Sequence, residues 1–300
     1  MPPACPAPPR RPPAPRRAAA ALALAALAWL APGPARADAL RVAVSRGPLS
    51  LPLFVAQRQG FLAGEGLDVA FVDCLGGRRC LRLVLDGKAD VATCAEMAVV
   101  QEAFAHADAA IVATMVHASD NLKLVVRKSS GIVRSEQLDG RRVGVIVGTT
   151  AQYELESHLL DLGIDPRRVT AVPVQPEDIV AALRDGRIDA AAVWEPFGYA
   201  ALHGADAVGL RLPLAGGYIE NYTLVAREQL QVDQGFVDWV WGGLAWRLSL
   251  DQALLSTMEG EARWAQRERH VAEGARPNVL TLVNAGPLKA VKPAAVGIGG

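Results

Sequence analysis

One eleven-residue segment of the chain occurs twice, 99 residues apart. Asp86-Gly87-Lys88-Ala89-Asp90-Val91-Ala92-Thr93-Cys94-Ala95-Glu96 returns as Asp185-Gly186-Arg187-Ile188-Asp189-Ala190-Ala191-Ala192-Val193-Trp194-Glu195. Each copy runs Asp-Gly, a base, a spacer, Asp, five mostly small or apolar residues, then Glu. Upstream of each lies a second echo, Arg41-Val42-Ala43-Val44 and Arg142-Val143-Gly144-Val145. Two echoes in the same order imply two similar α/β lobes on one chain. Two lobes leave a cleft, and a cleft takes a ligand.

The periodicity between the echoes supports this. Apolar strands at 40–44, 67–72, 91–94 and 110–115 alternate with helices at 51–61, 76–85 and 96–105. Gly87 is a natural residue to end the helix before it. The pattern restarts at Asn121, with strands at 122–127, 142–147, 169–174, 190–194 and 207–212. Its helices are predicted at 149–162, 176–183 and 197–202. Strand–helix alternation with short connections specifies a parallel α/β sheet. Residues 213–221 read as loop, and from Phe236 the chain reads as helical to about Glu273. The crossings near 119–123 and 213–222 would form a hinge. The expected organisation is a first lobe over 38–120, a second over 121–213 and a return to the first over 214–283. Residues 284–300, rich in Gly, Ala and Pro, read as a mobile tail.

The first 37 residues differ in kind. Arg10, Arg11, Arg16 and Arg17 precede an apolar run from Ala18 to Leu30, and Ala35-Arg36-Ala37 follows. This pattern is that of a secretory signal peptide cleaved after Ala37. Cleavage leaves 26 Lys and Arg against 31 Asp and Glu, a formal charge of −5. That balance argues against a nucleic-acid partner. Export makes disulfides plausible. Cys74, Cys80 and Cys94 allow three single pairings. Cys74 with Cys80 is the favoured one, because Gly76 and Gly77 give the short loop its freedom. The five His show no close pairing with these cysteines, so neither metal nor cofactor is expected.

In a doubly wound sheet, ligands meet the carboxyl ends of strands near helix N-termini. That rule selects Ser50, Gly76, Gly77, Glu96 and Ser119 in the first lobe. In the second it selects Thr149, Thr150, Trp194 and Glu195, and Tyr222 follows from the connecting loop. Gly148-Thr149-Thr150 offers backbone N–H groups to an anion, or a plain capping box of Thr149 with Gln152. Glu195 suits a ligand ammonium or ring N–H group, or simply a helix start. Glu96 is its counterpart. Trp194 suits an apolar wall or the core. The tryptophans at 239 and 246 share a helix face and read as core. Nucleophile, metallopeptidase and phosphate-loop motifs are absent from the sequence.

Several segments, in order, resemble substrate-binding proteins of the nitrate, sulfonate and taurine importers. They are Gly60-Phe61 with Gly66-Leu67-Asp68-Val69, Asp86 to Val91, Leu138 to Val145, and Asp185 to Ala190 through Trp194-Glu195-Pro196. The resemblance spans about residues 40 to 270. It implies a type II periplasmic-binding fold: two doubly wound lobes around a ligand cleft, joined by a two-strand hinge. It also implies a monomer that captures a small polar solute and delivers it to an ABC importer's permease and ATPase. The wider superfamily includes binders of thiamine-precursor pyrimidines and a pyrimidine-synthesising enzyme. That enzyme carries adjacent cysteines, whereas Cys74, Cys80 and Cys94 are dispersed. The expected function is therefore solute binding. An enzyme on the same fold, or a sensory module for a membrane receptor, stands as the alternative.

Overall fold

The computed structural model describes residues 39–105, 108–204, 207–214, 218–227, 249–267, 271, 276–291 and 293–298. The signal-peptide reading of residues 1–37 lies outside these residues. So do the tryptophans at 239, 241 and 246 and residues 236–248 of the helix expected from Phe236 to about Glu273.

Two five-stranded sheets carry the chain, and they share one plan. Strands β1 (Leu40–Ser45), β2 (Val69–Cys74), β3 (Val91–Ala95) and β4 (Ala109–Ala118) belong to the first sheet. Strands β5 (Leu122–Arg127), β6 (Arg142–Val145), β7 (Thr170–Pro173), β8 (Ala190–Trp194) and β9 (Gly209–Leu212) belong to the second. Strand β10 (Glu220–Arg227) returns to the first. The orders are β2-β1-β3-β10-β4 and β7-β6-β8-β5-β9. In both sheets the first three strands are parallel, and the fourth runs antiparallel between its neighbours. That fourth strand directly follows a crossing from the other sheet. β5 enters after β4, and β10 enters after β9.

The echoes explain the register. Val42 and Ala43 pair with Val91 and Ala92, while Val143 and Gly144 pair with Ala190 and Ala191. Each pairing begins one residue after the echoed Arg and one after the echoed Asp. Those two residues bind each other in both lobes. Asp90 takes the Arg41 guanidinium at 2.6 Å and the Arg41 backbone N–H at 2.8 Å. Asp189 takes the Arg142 guanidinium at 3.0 Å and its backbone N–H at 3.2 Å. The two echoes are therefore the two halves of one bidentate clamp between neighbouring strand starts. Gly87 and Gly186 have φ of 71° and 66°, the left-handed turn that ends the preceding helix and aims the chain into the next strand.

Helices α1 (Leu51–Arg58), α2 (Phe61–Gly64), α3 (Gly77–Leu85) and α4 (Glu96–Ala103) accompany the first sheet. Helices α5 (Thr150–Asp161), α6 (Ile179–Arg184) and α7 (Phe197–His203) accompany the second. The helix expected over 51–61 is broken at Gly60, whose φ of 73° only glycine adopts readily. Helix α8 (Gln252–Arg267) packs Leu254, Leu255 and Met258 into the first lobe's core. Residues 284–298 differ from the loose tail expected of them. Helix α9 (Gly286–Val291) buries Leu288 in that core, and Leu250 bridges to Val296. Leu288 supplies an apolar anchor that the Gly, Ala and Pro content concealed.

Candidate functional site

A cavity of about 470 Å³ lies between the carboxyl ends of the two sheets. Its walls come from both lobes. The first supplies Ser45, the Gly76–Arg79 turn and Arg82, and the second supplies Gly148 to Thr150, Gln175, Trp194 and Glu195. Asn121, Glu220 and Tyr222 close it at the hinge side.

The disulfide Cys74–Cys80 joins the end of β2 to the second turn of α3, with the Cα atoms 5.3 Å apart. Closing so short a loop favours the folded state by about 2 kcal/mol on the chain-entropy estimate. It holds the turn that delivers the start of α3 to the cavity. Gly77 must be glycine there, since a Cβ would lie 2.7 Å from the Cys94 side chain and 2.8 Å from its Cα. Cys94 is the free thiol, buried in β3, and burial pushes it up to about 12. Burial thus disfavours the thiolate form that a nucleophile needs.

Neither α3 nor α5 has a side-chain cap. The capping box predicted for α5 does not form. Thr149 turns its hydroxyl back to the Ile146 carbonyl at 2.6 Å, and the Gln152 amide oxygen accepts from Gly148 N–H at 2.9 Å. The first N–H groups of α5 thus keep their positive end toward the cavity. Arg78 approaches this same end from the first lobe. Its guanidinium donates to the Val147 carbonyl at 3.3 Å and lies 3.0 Å from where a Gly148 Cβ would sit. A guanidinium against a helix N-terminus is a like-charged arrangement. An anion between the two relieves it.

Arg82 is held by Glu102 at 2.7 Å, and Arg78 shares that carboxylate at 3.9 Å. Arg79 reaches across the cleft to Gln175 at 2.9 Å and Glu177 at 3.1 Å. Trp194 forms the aromatic wall. Its ring edge lies 3.4 Å from the Cβ position of Gly76 and packs edge-on against Phe197.

Of the residues selected from the sequence, Gly76, Gly77, Thr149, Thr150, Trp194, Glu195 and Tyr222 line the cavity. Ser50, Glu96 and Ser119 are not in its walls. Ser50 is buried, its hydroxyl 3.4 Å from both Thr93 and Tyr222. Ser119 is exposed on the turn between β4 and β5. Glu96 is 0% exposed. Its carboxylate accepts from the Asn221 backbone and amide N–H groups at 3.0 Å and from the Tyr218 hydroxyl at 3.1 Å. Burial, then the charge of Glu220, pushes Glu96 up to about 8. Glu195 lines the cavity but is partly engaged. It accepts the Tyr199 backbone N–H at 2.7 Å and lies 3.6 Å from the Lys123 ammonium.

The strand-end rule missed Arg78, Arg79, Arg82, Asn121, Gln175 and Glu220. Arg78 and Arg79 directly follow the selected glycines, so reading one helical turn further would have found them. Asn121 and Glu220 sit at the two crossings, where polar residues open strands that should otherwise be apolar.

Comparisons with known proteins agree with this geometry. The taurine-binding periplasmic protein of Escherichia coli K12 is 30% identical over 174 residues, covering 58% of this chain and 53% of that protein. The putative aliphatic sulfonates-binding protein of Bacillus subtilis 168 is 26% identical over 153 residues, 49% of this chain and 45% of its own. The chain spans about half the length of these curated relatives. Among solved structures, the alkanesulfonate-binding protein SsuA from Xanthomonas axonopodis pv. citri, bound to MOPS, superposes with a TM-score of 0.68 at 18% identity. The likeness covers 82% of this chain and 98% of that one. It shows the two-lobed type II periplasmic-binding fold. The model of the NMT1/THI5-like family matches residues 48–231, more than half of the sequence, and the chain belongs to that family.

Proposed function

We propose that this protein is a solute-binding protein that takes a small organic anion of the sulfonate class into the cleft. It would then present the anion to the permease of an ABC importer. One observation carries the reading: two uncapped helix N-termini, those of α3 and α5, converge with Arg78 on one cavity. Backbone N–H groups and a guanidinium suit the several equivalent oxygens of a sulfonate. Gly76, Gly77, Thr149 and Thr150 would contact the anion, and Trp194 and Tyr222 would cover its carbon chain. The lobes would close on it about the crossings at 119–123 and 213–222. The relatives' names support the reading, since both describe binding proteins for sulfonates, one of them periplasmic. With residues 1–37 acting as an export signal, the site of action would be the periplasm.

The test uses the processed chain, unfolded and refolded to remove carried ligand. Melting temperature and calorimetry are followed with ethanesulfonate, 2-aminoethanesulfonate, longer alkanesulfonates, nitrate and a hydroxymethylpyrimidine. A sulfonate at 100 to 1,000 times its Kd should stabilise the fold by about 3–4 kcal/mol. Arg78→Gln should weaken it at least about tenfold. No response to any sulfonate would end the reading.

A further inference from the structure

Behind the anion end of the cavity, a chain of hydrogen bonds runs from the first lobe into the second. It starts at Trp264 on α8, which is buried and clusters with Met97 of the first lobe's cavity wall. The Trp264 indole Nε1–H donates to Glu156 Oε2 on α5 at 2.7 Å. Glu156 Oε1 accepts from the Gln152 amide Nε2 at 2.8 Å. Gln152 Oε1 in turn accepts from Gly148 N–H at 2.9 Å. Gly148, Gln152 and Glu156 are spaced four apart, so they share one face of α5 and of the turn before it. Tyr153 braces that face, its ring meeting Trp264 edge-on at 5.5 Å.

Donor and acceptor types give the chain one direction. An ionised carboxylate only accepts, and an indole N–H only donates. Glu156 therefore demands the NH2 group of Gln152, and Gly148 N–H demands its carbonyl oxygen. Both ends of the amide agree. Gln152 is only 4% exposed, so a reversed amide would set donor against donor in a buried place.

This orientation decides how α5 begins. Gly148 has φ of 71°, and a left-handed residue there sets the direction of the N–H groups that follow. Gln152 is also the residue that would close a capping box on Thr149 N–H. Held toward Gly148 by Glu156, its amide oxygen bonds one residue before that position, and α5 stays without a side-chain cap. The first turn of α5 thereby keeps its positive end toward the cavity that Gly148, Thr149 and Thr150 line. Trp264 supplies this hold from the other lobe.

We infer that Trp264 and Glu156, neither of which lines the cavity, set its affinity for the anionic group by fixing Gln152 and, through it, the first turn of α5. They are positioning residues, not ligand contacts. Trp264 belongs to the first lobe and Glu156 to the second, so the same bond ties the lobes together. It should therefore slow ligand escape more than entry. The inference rests on the anion reading of the cavity, and the test separates the two.

Glu156→Gln keeps the shape of the side chain and defeats the chain of bonds. Its single oxygen can serve Trp264 or Gln152, and the other then meets an NH2 group. Trp264→Phe removes the indole donor and keeps an aromatic ring in place. Leu254→Ala, in the core contact of α8 with the chain intact, controls for lost stability. Calorimetry and stopped-flow binding compare ethanesulfonate with hexanesulfonate. Glu156→Gln and Trp264→Phe should each bind about three- to tenfold more weakly, mostly through faster release. The factor should be the same for both ligands, because the chain acts on their common end. Hydrogen exchange of Gly148 N–H, followed by NMR without ligand, should quicken in both variants. Leu254→Ala should lower the melting temperature and leave affinity and Gly148 exchange unchanged. Unchanged affinity in the two folded variants would overturn the inference. So would a loss that Leu254→Ala reproduces, or one that grows with the length of the ligand. If wild type binds neither sulfonate, the anion reading falls and Gly148 exchange alone judges the chain. Quicker exchange in the variants then keeps it as the device that positions α5, and no change rejects it. Should either variant fail to fold, the other decides.

Discussion

The two copies of the repeated segment do the same work at their starts and different work at their ends. At the starts, Asp90 clamps Arg41 and Asp189 clamps Arg142, and the strands they align have the same register. At the ends, Glu96 and Glu195 occupy equivalent positions after β3 and β8, but their surroundings differ. β10 and α8 cover the first sheet there, and Glu96 is sealed among Asn221, Tyr218 and Glu261. The corresponding position of the second sheet stays partly open, so Glu195 caps the start of α7 and lies at the cavity. The lobes also divide the cavity walls between them. The first brings the arginines and the second the aromatic wall. A repeat thus conserves what holds strands together, and the later, unrepeated part of the chain decides which carboxylate meets solvent.

The largest expected effect tests the clamps against each other. Asp189 is shared by Arg142 and Arg127, at 3.0 and 2.8 Å, and its side chain is 9% exposed. Burial would raise its pKa, but the hydrogen bonds from Arg142 and Arg127 outweigh burial and hold it at about 2. Asp90 pairs with a single arginine, and its own side chain is 22% exposed. Asp189→Asn should therefore cost about 3 kcal/mol, as expected for breaking a largely buried pair. Asp90→Asn should cost at most about 1 kcal/mol. Because its folded pKa is depressed, Asp189 stabilises the fold above pH ~4 and loses that contribution as pH falls toward 2. Urea unfolding at pH 7 and pH 3 checks both points. Equal losses at pH 7 would mean the clamps are equivalent despite their different burial.

The second effect sets the two terminal glutamates apart. The folded pKa of Glu96 is about 8, above its ordinary value. The folded state therefore binds the extra proton between pH ~4.5 and 8, and stability falls as pH rises through that window. Glu96→Gln should flatten the decline, by a few degrees of melting temperature at pH 8. At the equivalent position, Glu195→Ala removes the acceptor for the Tyr199 N–H and should cost about 1 kcal/mol. An unchanged slope in Glu96→Gln would assign the pH dependence to Glu261 or Glu220.

Much of the fold was legible because its signals are local. The echoes, the glycines that end helices and the apolar strand runs each depend on a few neighbouring residues. Strand β10 was not legible as a strand. Its first residues, Glu220 and Asn221, are polar and read as loop, yet both are buried, Glu220 against Asn121 of the other crossing and Asn221 against Glu96. The same long-range cause explains the misplacement of Glu96. A strand-end rule locates its Cα correctly, but the residues that cover its side chain lie 122 to 165 positions later in the chain. Arg78 was missed for a smaller reason. The strand-end rule stops at Gly76 and Gly77, while the charge lies one residue inside the helix.

The smallest effect concerns Arg79, the first-lobe arginine that forms an ion pair with the second lobe. Arg79 sits on the turn held by the disulfide and meets Gln175 and Glu177 across the mouth of the cleft. Both ionic partners are close to half exposed, so solvent screens the pair. It should contribute less than about 1 kcal/mol to holding the lobes together, or up to about fivefold in ligand affinity. Arg79→Ala should raise the ligand dissociation rate and leave association almost unchanged, since a closing contact acts after the ligand has entered. The effect should shrink as salt increases. Adding Glu177→Ala should change little further, because the pair is already broken. Stopped-flow binding in 0.05 M and 0.5 M salt provides the measurement. A loss as large as that of Arg78→Gln would make Arg79 a ligand contact, and the first lobe would then carry two recognition arginines instead of one recognition arginine and one latch.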